Sequence, residues 1–315
     1  MTDVSFIVVN WNTRDLTSQC IRSIQSDAGD MGNELIVVDN GSTDGSPEVI
    51  AARFPGVRLI RNGSNFGFAK ANNIGIDASQ GAFAILVNSD AELLKGCTKE
   101  MIGFMRTHPD VGILGPCILD SGLQLQRSCW ESLSLRSMTR ESLGIHARMP
   151  DVLAQKTQAL SVDLNRHFLS GCVMCVRRKA TLDVGTFDER FFFYCEDMDL
   201  CRRMRERNWR VVYLPSAKAV HLGGGSSLRR GVGAAVQSEK AVFQYSGKYR
   251  IAPDAVMVIL RLVFFISRTA FYASRACLCF RRKGAVLQKV REGKTVIAWL
   301  LKRDRKSCDP SGITA

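Results

Sequence analysis

Residues 84–92 read AILVNSDAE, an apolar run from Ala84 to Val87 that meets Asn88, Ser89 and Asp90. The run has the length and branching of a buried strand. The polar triplet is either the turn that ends the strand or a way of placing a carboxylate at its tip. Asp90 by itself distinguishes neither reading, because a strand followed by Asn-Ser-Asp is common among α/β proteins. The segments around it have to decide.

Working outward, apolar runs predict strands at 4–9 (VSFIVV), 34–38 (ELIVV), 57–60 and 82–87. Between them, helical spacing places Leu16, Cys20, Ile21 and Ile24 on one face. Residues 46–54 form a second helix with Pro47 in its first turn, and residues 69–78 a third. Strands alternating with helices predict a mostly parallel, doubly wound sheet covered on both faces. The strands end in Asn10-Trp11-Asn12, Asp39-Asn40-Gly41-Ser42, Arg61-Asn62 and Asn88-Ser89-Asp90. In an open parallel sheet such ends share one edge, where ligands bind. Each is ordinary turn chemistry alone; together, with carboxylates after two of them, they point to a polar ligand.

No GxGxxG follows the first strand and no GxxxxGKS/T occurs anywhere, so dinucleotide and P-loop readings lack their phosphate-gripping loop. A nucleoside diphosphate bound here would need another means of neutralisation. A divalent cation on Asp90 supplies one, since Mg²⁺ and Mn²⁺ favour hard oxygen ligands and bridge carboxylates to phosphates.

A second constellation lies at 187–209, FDERFFFYCEDMDLCRRMRERNW. Glu196, Asp197 and Asp199 open a helix whose inward face includes Leu200 and Met204. Acids in a first turn stabilise the helix dipole by about 0.3–1 kcal/mol each. The aromatics before them, Phe191 to Tyr194, would also set these carboxylates at the rim of an apolar cleft, where a base can be desolvated. The helix should end at Asn208, a residue that tolerates the left-handed conformation. The run WRVVYLP follows, then His221 and LGGGSS. His221 is either a loop histidine or a ligand, and the glycines could hinge a loop over substrate.

Composition narrows the class. The chain of 315 residues is 46% hydrophobic and 23% charged, which is globular and large enough for a sizeable core. Its eleven cysteines show no disulfide framework, and no charged leader with an apolar stretch precedes the first strand, so a reduced, cytosolic protein is expected. Cys172 and Cys175 form a CxxC with no second pair at zinc-ribbon spacing, the pattern of small core residues on a strand. The net charge of +13 is concentrated in residues 250–306, which hold 14 Lys and Arg against three acids, so the basicity belongs to a tail.

In order along the chain, VVNWN (8–12), VVDNGSTDGS (37–46), NFGFAKANNIGI (65–76), LVNSDAE (86–92), SGCVMCVRR (170–178), GTFDERFFFYCEDMDLCRR (185–203) and HLGGGSS (221–227) resemble the inverting glycosyltransferases of family 2. The likeness is closest to the bacterial rhamnosyltransferase-like branch, and it covers roughly residues 3–227. It implies the GT-A fold, an α/β Rossmann-like, mostly parallel sheet flanked by helices, here with a C-terminal helical extension. The implied layout is a nucleotide-sugar-binding half at 1–115, an acceptor-binding and catalytic half at 116–227, and a basic helical extension at 228–315.

The same resemblance implies roles. Asp39 contacts the nucleotide base, with Asn10 and Asn12 nearby; Asn65 and Asn72 line the donor pocket. Asn88 and Asp90 stand at the family's DxD motif, so Asp90 would bind Mg²⁺ or Mn²⁺ bridging the donor diphosphate. Asn88 replaces the first carboxylate, which weakens the expected metal affinity. His221 matches a histidine that completes the metal's coordination in related galactofuranosyl enzymes. Asp197 matches the catalytic base, with Glu196 and Asp199 on the acceptor side.

The implied reaction moves a sugar, rhamnose from dTDP-rhamnose in the first instance, to a hydroxyl of a bacterial glycan or lipid-linked acceptor, with inversion. The alternatives are another sugar from a UDP- or GDP-linked donor, or a catalytically inactive GT-A-like binding protein. No nucleic-acid partner is expected.

The tail carries Arg261, Arg268, Arg275, Arg282 and Lys289 at every seventh position, between apolar runs such as Val256 to Ile266. On one helix these cations would form a slanting stripe. Arginines interrupt the apolar runs before the ~20 residues of a spanning helix are reached. An in-plane amphipathic helix, or a helical hairpin, on an anionic membrane surface is therefore expected, at the inner face of the cell membrane. The alternative is a helix packed on the catalytic domain with a solvated cationic face.

Overall fold

A computed structural model describes residues 3–29, 32–143, 162–222, 232–276 and 283–302. The chain divides into two compact units, residues 1–132 with 149–229, and residues 133–148 with 230–315.

The first unit opens with β1 (Val4–Asn10), α1 (Arg14–Ala28), β2 (Asn33–Asp39), α2 (Ser46–Arg53), β3 (Arg58–Arg61), α3 (Phe68–Ala78) and β4 (Phe83–Asn88). These match the expected elements to within a few residues. After β5 (Ala91–Leu93), α4 (Cys97–Thr107), β6 (Val111–Leu119) and β7 (Cys129–Glu131), the chain passes through α5 (Leu135–Ser142) in the second unit. It returns as β8 (Val162–Asp163), β9 (His167–Leu169), β10 (Val173–Arg177), α6 (Arg178–Val184), α7 (Glu196–Glu206) and β11 (Arg210–His221).

The main sheet runs β3-β2-β1-β4-β10-β6-β11-β5, with β8 beside β11. The first four strands are parallel, as alternation with helices requires. The second half is mixed: β10 lies antiparallel to both β4 and β6, whereas β11 runs parallel to β6 and antiparallel to β5.

Alternation along each strand sorts side chains onto two faces. Phe6, Val8, Val37 and Ile85 share a core with Cys20, Ile21 and Ile24 of α1 and with Met101 and Met105 of α4. Ile7, Leu86 and Met174 share the opposite core with Ala69 and Ile76 of α3 and with Leu200 and Met204 of α7, the inward pair expected for that helix. Burying each such large aliphatic side chain contributes about 1.5–3 kcal/mol. Cys172 and Cys175 are buried, and burial pushes their thiols up to about 11 and about 12.

The second unit consists of α5, α8 (Val232–Tyr249), α9 (Asp254–Ala276) and α10 (Lys283–Lys302) around Met138, Phe243, Met257, Phe264, Phe265, Val296 and Leu300. Residues 135–142, expected within the catalytic half, belong instead to this bundle: Met138 enters its core and the Ser142 hydroxyl donates to the Leu260 carbonyl at 2.8 Å.

The cationic stripe requires correction. Arg261 is buried, donating at 2.7 and 2.6 Å to Glu239 and at 2.9 Å to Glu141. Arg268 stacks over Phe264 and Tyr272. Lys289 lies on a different helix, α10, and Arg282 falls outside the described residues. Two helices, not one, carry the seven-residue repeat, and its first member serves the bundle interior. The arginines interrupt the apolar run of α9 without breaking the helix, which is continuous for 23 residues.

Candidate active site

The strand tips do gather at one edge. Asn10 and Asp39 are opposite partners in the β1–β2 register, and both are buried. The Asn10 amide donates to Asp39 Oδ1 at 2.6 Å and to Ser42 Oγ at 3.0 Å, while its carbonyl oxygen accepts from Thr13 and Thr17 hydroxyls at 2.8 and 2.7 Å. The other Asp39 oxygen accepts from the Ser42 backbone at 3.0 Å. Asp39 is therefore a carboxylate locked in orientation, with lone pairs still available to a base N–H. Asn12, in the left-handed region at φ 54°, accepts from the Thr43 backbone at 2.7 Å and ties the two loops together. Asn10 and Asn12 thus bind these two strand-end loops to each other through the protein's own hydrogen bonds.

The next loop is organised by Asn40, a residue sequence reading passed over. Its side chain donates to Asn65 Oδ1 at 2.9 Å and accepts from Asn62 and the Phe66 backbone at 3.1 and 3.0 Å. Asn65 Oδ1 also accepts from the Gly67 backbone, which leaves Asn65 Nδ2 without a protein partner among the described residues. Gly67, at φ 85°, admits no side chain: a Cβ there would collide with the Phe192 carbonyl oxygen and ring. The Phe68 N–H donates to that same carbonyl at 2.8 Å, fastening NFGF to the aromatic run before α7. Asn72 is buried and donates to Phe68 O at 2.9 Å within its own helix, so its amide supports α3. Its neighbour Asn73, also passed over, exchanges two hydrogen bonds with the Phe187 backbone at 2.9 and 3.0 Å.

At the tip of β4, Ser89 accepts from Thr13 at 2.9 Å and the Asn88 N–H donates to Cys172 O at 2.8 Å. The Asn88 side chain has no protein partner among the described residues. His221 ends β11 opposite Ala91 of β5, and this pairing brings its Nε2 to 3.2 Å from Asp90 Oδ1. The Leu222 N–H donates to Asp90 O at 3.0 Å. Residues 131 positions apart in sequence are thus brought together at one strand pair. The glycine-rich stretch after Leu222 lies outside the described residues.

A third carboxylate approaches from α7. Tyr194 and Cys195 are both left-handed, at φ 75° and 67°, a conformation with a steric cost for side-chain-bearing residues. This double turn starts the helix so that Asp197 Oδ2 accepts from Gly171 N–H at 3.2 Å and Oδ1 from Met198 N–H at 2.8 Å. Asp197 keeps some exposed surface, yet burial pushes its carboxyl up to about 6, against the lowering pull of those two backbone donors. Gly171 and Cys172 link the two halves of the site, one beside Asp197 and the other bonded to Asn88. The charges of Asp90 and Asp197 both add to the upward push on the Cys172 thiol.

The acids flanking Asp197 differ from it. Glu196 is buried. Asp199 is wholly buried and pairs with Arg203 at 2.7 Å, and Arg203 in turn donates to the carbonyls of Val184, Gly185 and Thr186. Asp199 therefore anchors the turn before the aromatic run and presents no carboxylate to an acceptor, which corrects its expected acceptor-side place. As expected, Asn208 is left-handed at the helix exit.

Among the described residues no group of three or more His, Cys, Asp or Glu side chains gathers as a ready-made metal cage. The Asp90–His221 pair nevertheless fits a cation: two adjacent ligands on an octahedral ion, each at about 2.1 Å, stand about 3 Å apart. An ion so held takes its remaining ligands from water and phosphate oxygens, the usual habit of Mg²⁺.

Comparison with known proteins gives the family and the fold. A family model, Glycosyl transferase family 2, matches residues 5–185. An N-acetylglucosaminyl-diphospho-decaprenol L-rhamnosyltransferase of Mycobacterium tuberculosis is 34% identical over 201 residues, 59% of this chain and 66% of that protein, just under two thirds of its length. A low-salt glycan biosynthesis hexosyltransferase of Haloferax volcanii is 24% identical over 226 residues, 70% of this chain and 67% of that protein. Among solved structures, a mannosyltransferase from Pyrobaculum calidifontis in complex with GDP-Man and Mn²⁺ superposes with TM-score 0.57 at 16% identity, covering 96% of this chain and 87% of that one. That likeness gives the fold as GT-A.

Proposed function

The chain belongs to glycosyl transferase family 2, and we propose that it moves a sugar from a nucleoside diphosphate to a hydroxyl of a glycan or lipid-linked acceptor, with inversion at the anomeric carbon. The observation that carries this reading is the Asp90–His221 pair at 3.2 Å on the strand tip whose Asn88 binds Cys172, the residue next to the Gly171 N–H that holds Asp197. Rhamnose from dTDP-rhamnose is the proposed donor, supported by the L-rhamnosyltransferase relative. That relative's decaprenol-linked acceptor also supports a place at the cytoplasmic face of the cell membrane.

Each residue has work suited to its surroundings. Asp39 accepts from the nucleobase, and its two protein hydrogen bonds hold it without reorganisation when the donor arrives. Asn65 Nδ2 and the Asn88 amide offer neutral hydrogen bonds to the sugar and diphosphate. Asp90 and His221 would hold Mg²⁺ or Mn²⁺, which when bound offsets the charge of the departing diphosphate. Asp197 takes the acceptor hydroxyl's proton while that oxygen attacks the anomeric carbon from the face opposite the leaving group. With a carboxyl at about 6, it is ionised at neutral pH yet more basic than an ordinary aspartate.

The test is a screen of dTDP-, UDP- and GDP-linked sugars for donor consumption, with and without Mg²⁺ or Mn²⁺. Turnover of dTDP-rhamnose above the others supports the full proposal. Turnover of a UDP- or GDP-linked sugar would overturn the donor assignment, and donor binding without turnover of any donor would leave a catalytically inactive GT-A-like binding protein.

A further inference from the structure

The third helix of the second unit, α9, is apolar on two faces: Met257, Phe264 and Phe265 are buried in the unit's core, and a further apolar face is exposed. At 3.6 residues per turn, Val256, Ile259, Val263, Ile266 and Ala270 fall within an arc of about 80°. Four of these are exposed apolar side chains: Val256 36%, Ile259 60%, Val263 45% and Ile266 55%. No ionisable residue of α9 lies in that arc. Its charges lie outside the arc: Arg261 is buried against Glu239 and Glu141, while Asp254 and Arg268 are exposed. A helix dissolved in water buries its apolar stripe and exposes its charges. Here a second apolar stripe stays exposed beside the buried one, which is the arrangement of a helix whose outer face meets hydrocarbon.

We propose that this outward face of α9 is the surface by which the protein lies on an anionic lipid bilayer, with the helix in the plane of the interface. This names the contact for the membrane-side placement proposed above, and its choice of partner rests on that reading. Two observations select lipid as the occupant. Asp254–Ser274 is long and apolar enough to cross a membrane by length and composition, with little of it buried in the protein. The same unit exposes Arg291, Lys294 and Lys302 on α10, cations that draw it toward anionic headgroups. An in-plane position is chosen over a span because of what accompanies α9. Glu141, with 41% of its side chain exposed, and the exposed Lys240 sit on the helices that pair with its middle. A span would carry those charges into hydrocarbon.

The full-length protein tests this by flotation with vesicles of phosphatidylcholine alone and of phosphatidylcholine mixed equally with phosphatidylglycerol. The wild type should float, and more completely with phosphatidylglycerol. Replacing Ile259→Glu and Ile266→Glu together should lower vesicle partition by about tenfold or more, whereas Ile259→Leu with Ile266→Leu should retain it. All four changes lie at exposed positions, and circular dichroism verifies the fold. Unchanged flotation of the double Glu variant would overturn the proposal. So would a wild-type dimer in solution that the Glu pair dissociates, since a second copy would then cover the face. Retention in membranes through alkaline carbonate would overturn the in-plane placement in favour of a span. Flotation needs neither donor nor metal, so its outcome is separate from that of the donor screen.

Discussion

Asp90 Oδ1 and His221 Nε2 stand 3.2 Å apart, delivered by the tip of β4 and the last residue of β11. That spacing suits both a hydrogen bond and two adjacent ligands on one cation. If it holds a metal, Asp90→Ala and His221→Ala should each weaken Mn²⁺-dependent nucleotide binding by about tenfold or more, an effect near 1.4 kcal/mol. Metal-free binding, which rests on Asp39 and its neighbours, should change little. Calorimetric titration with nucleoside diphosphate, with and without Mn²⁺, separates the two. Equal losses in both conditions would mean that the pair only holds the loop together.

As the proposed base, Asp197 should set the acidic limb of the pH profile. Its carboxyl lies near 6, so the ionised base is depleted below that pH and kcat should fall by roughly tenfold per unit. The sign for stability is opposite. The folded protein binds this proton more tightly than the unfolded chain, so this group's contribution is fully present below about 3.8 and is lost as pH rises through about 6. Asp197→Asn should remove that dependence from the unfolding midpoint.

How much of this was legible from residues alone follows the range of the forces involved. Strand tips and the Asp90–His221 match could be read because local alternation and motif order carry them. The left-handed pair Tyr194-Cys195 could not, since neither residue is one that usually adopts φ above zero. The roles of Asn40 and Asn73 depend on loops that converge only in the fold, although polar residues inside NFGFAKANNIGI were a signal that side chains bind backbone there. Asp199 resembles Asp197 in sequence, yet the step of two residues between their positions turns a helix by about 200° and sends Asp199 to Arg203. Arg261 reads as a surface residue in sequence because its partners, Glu141 and Glu239, lie 120 and 22 residues away.

Gly67 makes the joint between donor loop and aromatic run. Gly67→Ala forces a side chain into the left-handed region and against Phe192, which should cost about 1–3 kcal/mol. Because the displaced segment leads into Asp197, kcat should fall more than the loss of folded protein explains. Comparing thermal midpoint with kcat at a temperature where the variant remains folded checks this. A destabilised variant with wild-type kcat would show that the joint serves stability alone.

In the second unit, Arg261→Ala would strand the buried Glu239 carboxylate and should destabilise by about 3–5 kcal/mol. Arg261→Met combined with Glu239→Leu removes both charges and should recover most of that loss. Denaturant midpoints of the single and double variants decide, and failure of the double change to recover stability would assign the loss to packing over Phe264 and Phe265.

The most direct measurement pairs turnover with binding in one variant, Asp197→Asn, which keeps the size of the side chain and removes its basicity. Nucleotide-sugar consumption in the presence of acceptor and Mn²⁺ should drop by about a hundredfold or more, while the donor Kd stays within about twofold of wild type. Turnover near the wild-type rate with donor binding intact would contradict Asp197 as the base, and with it the proposed route of transfer.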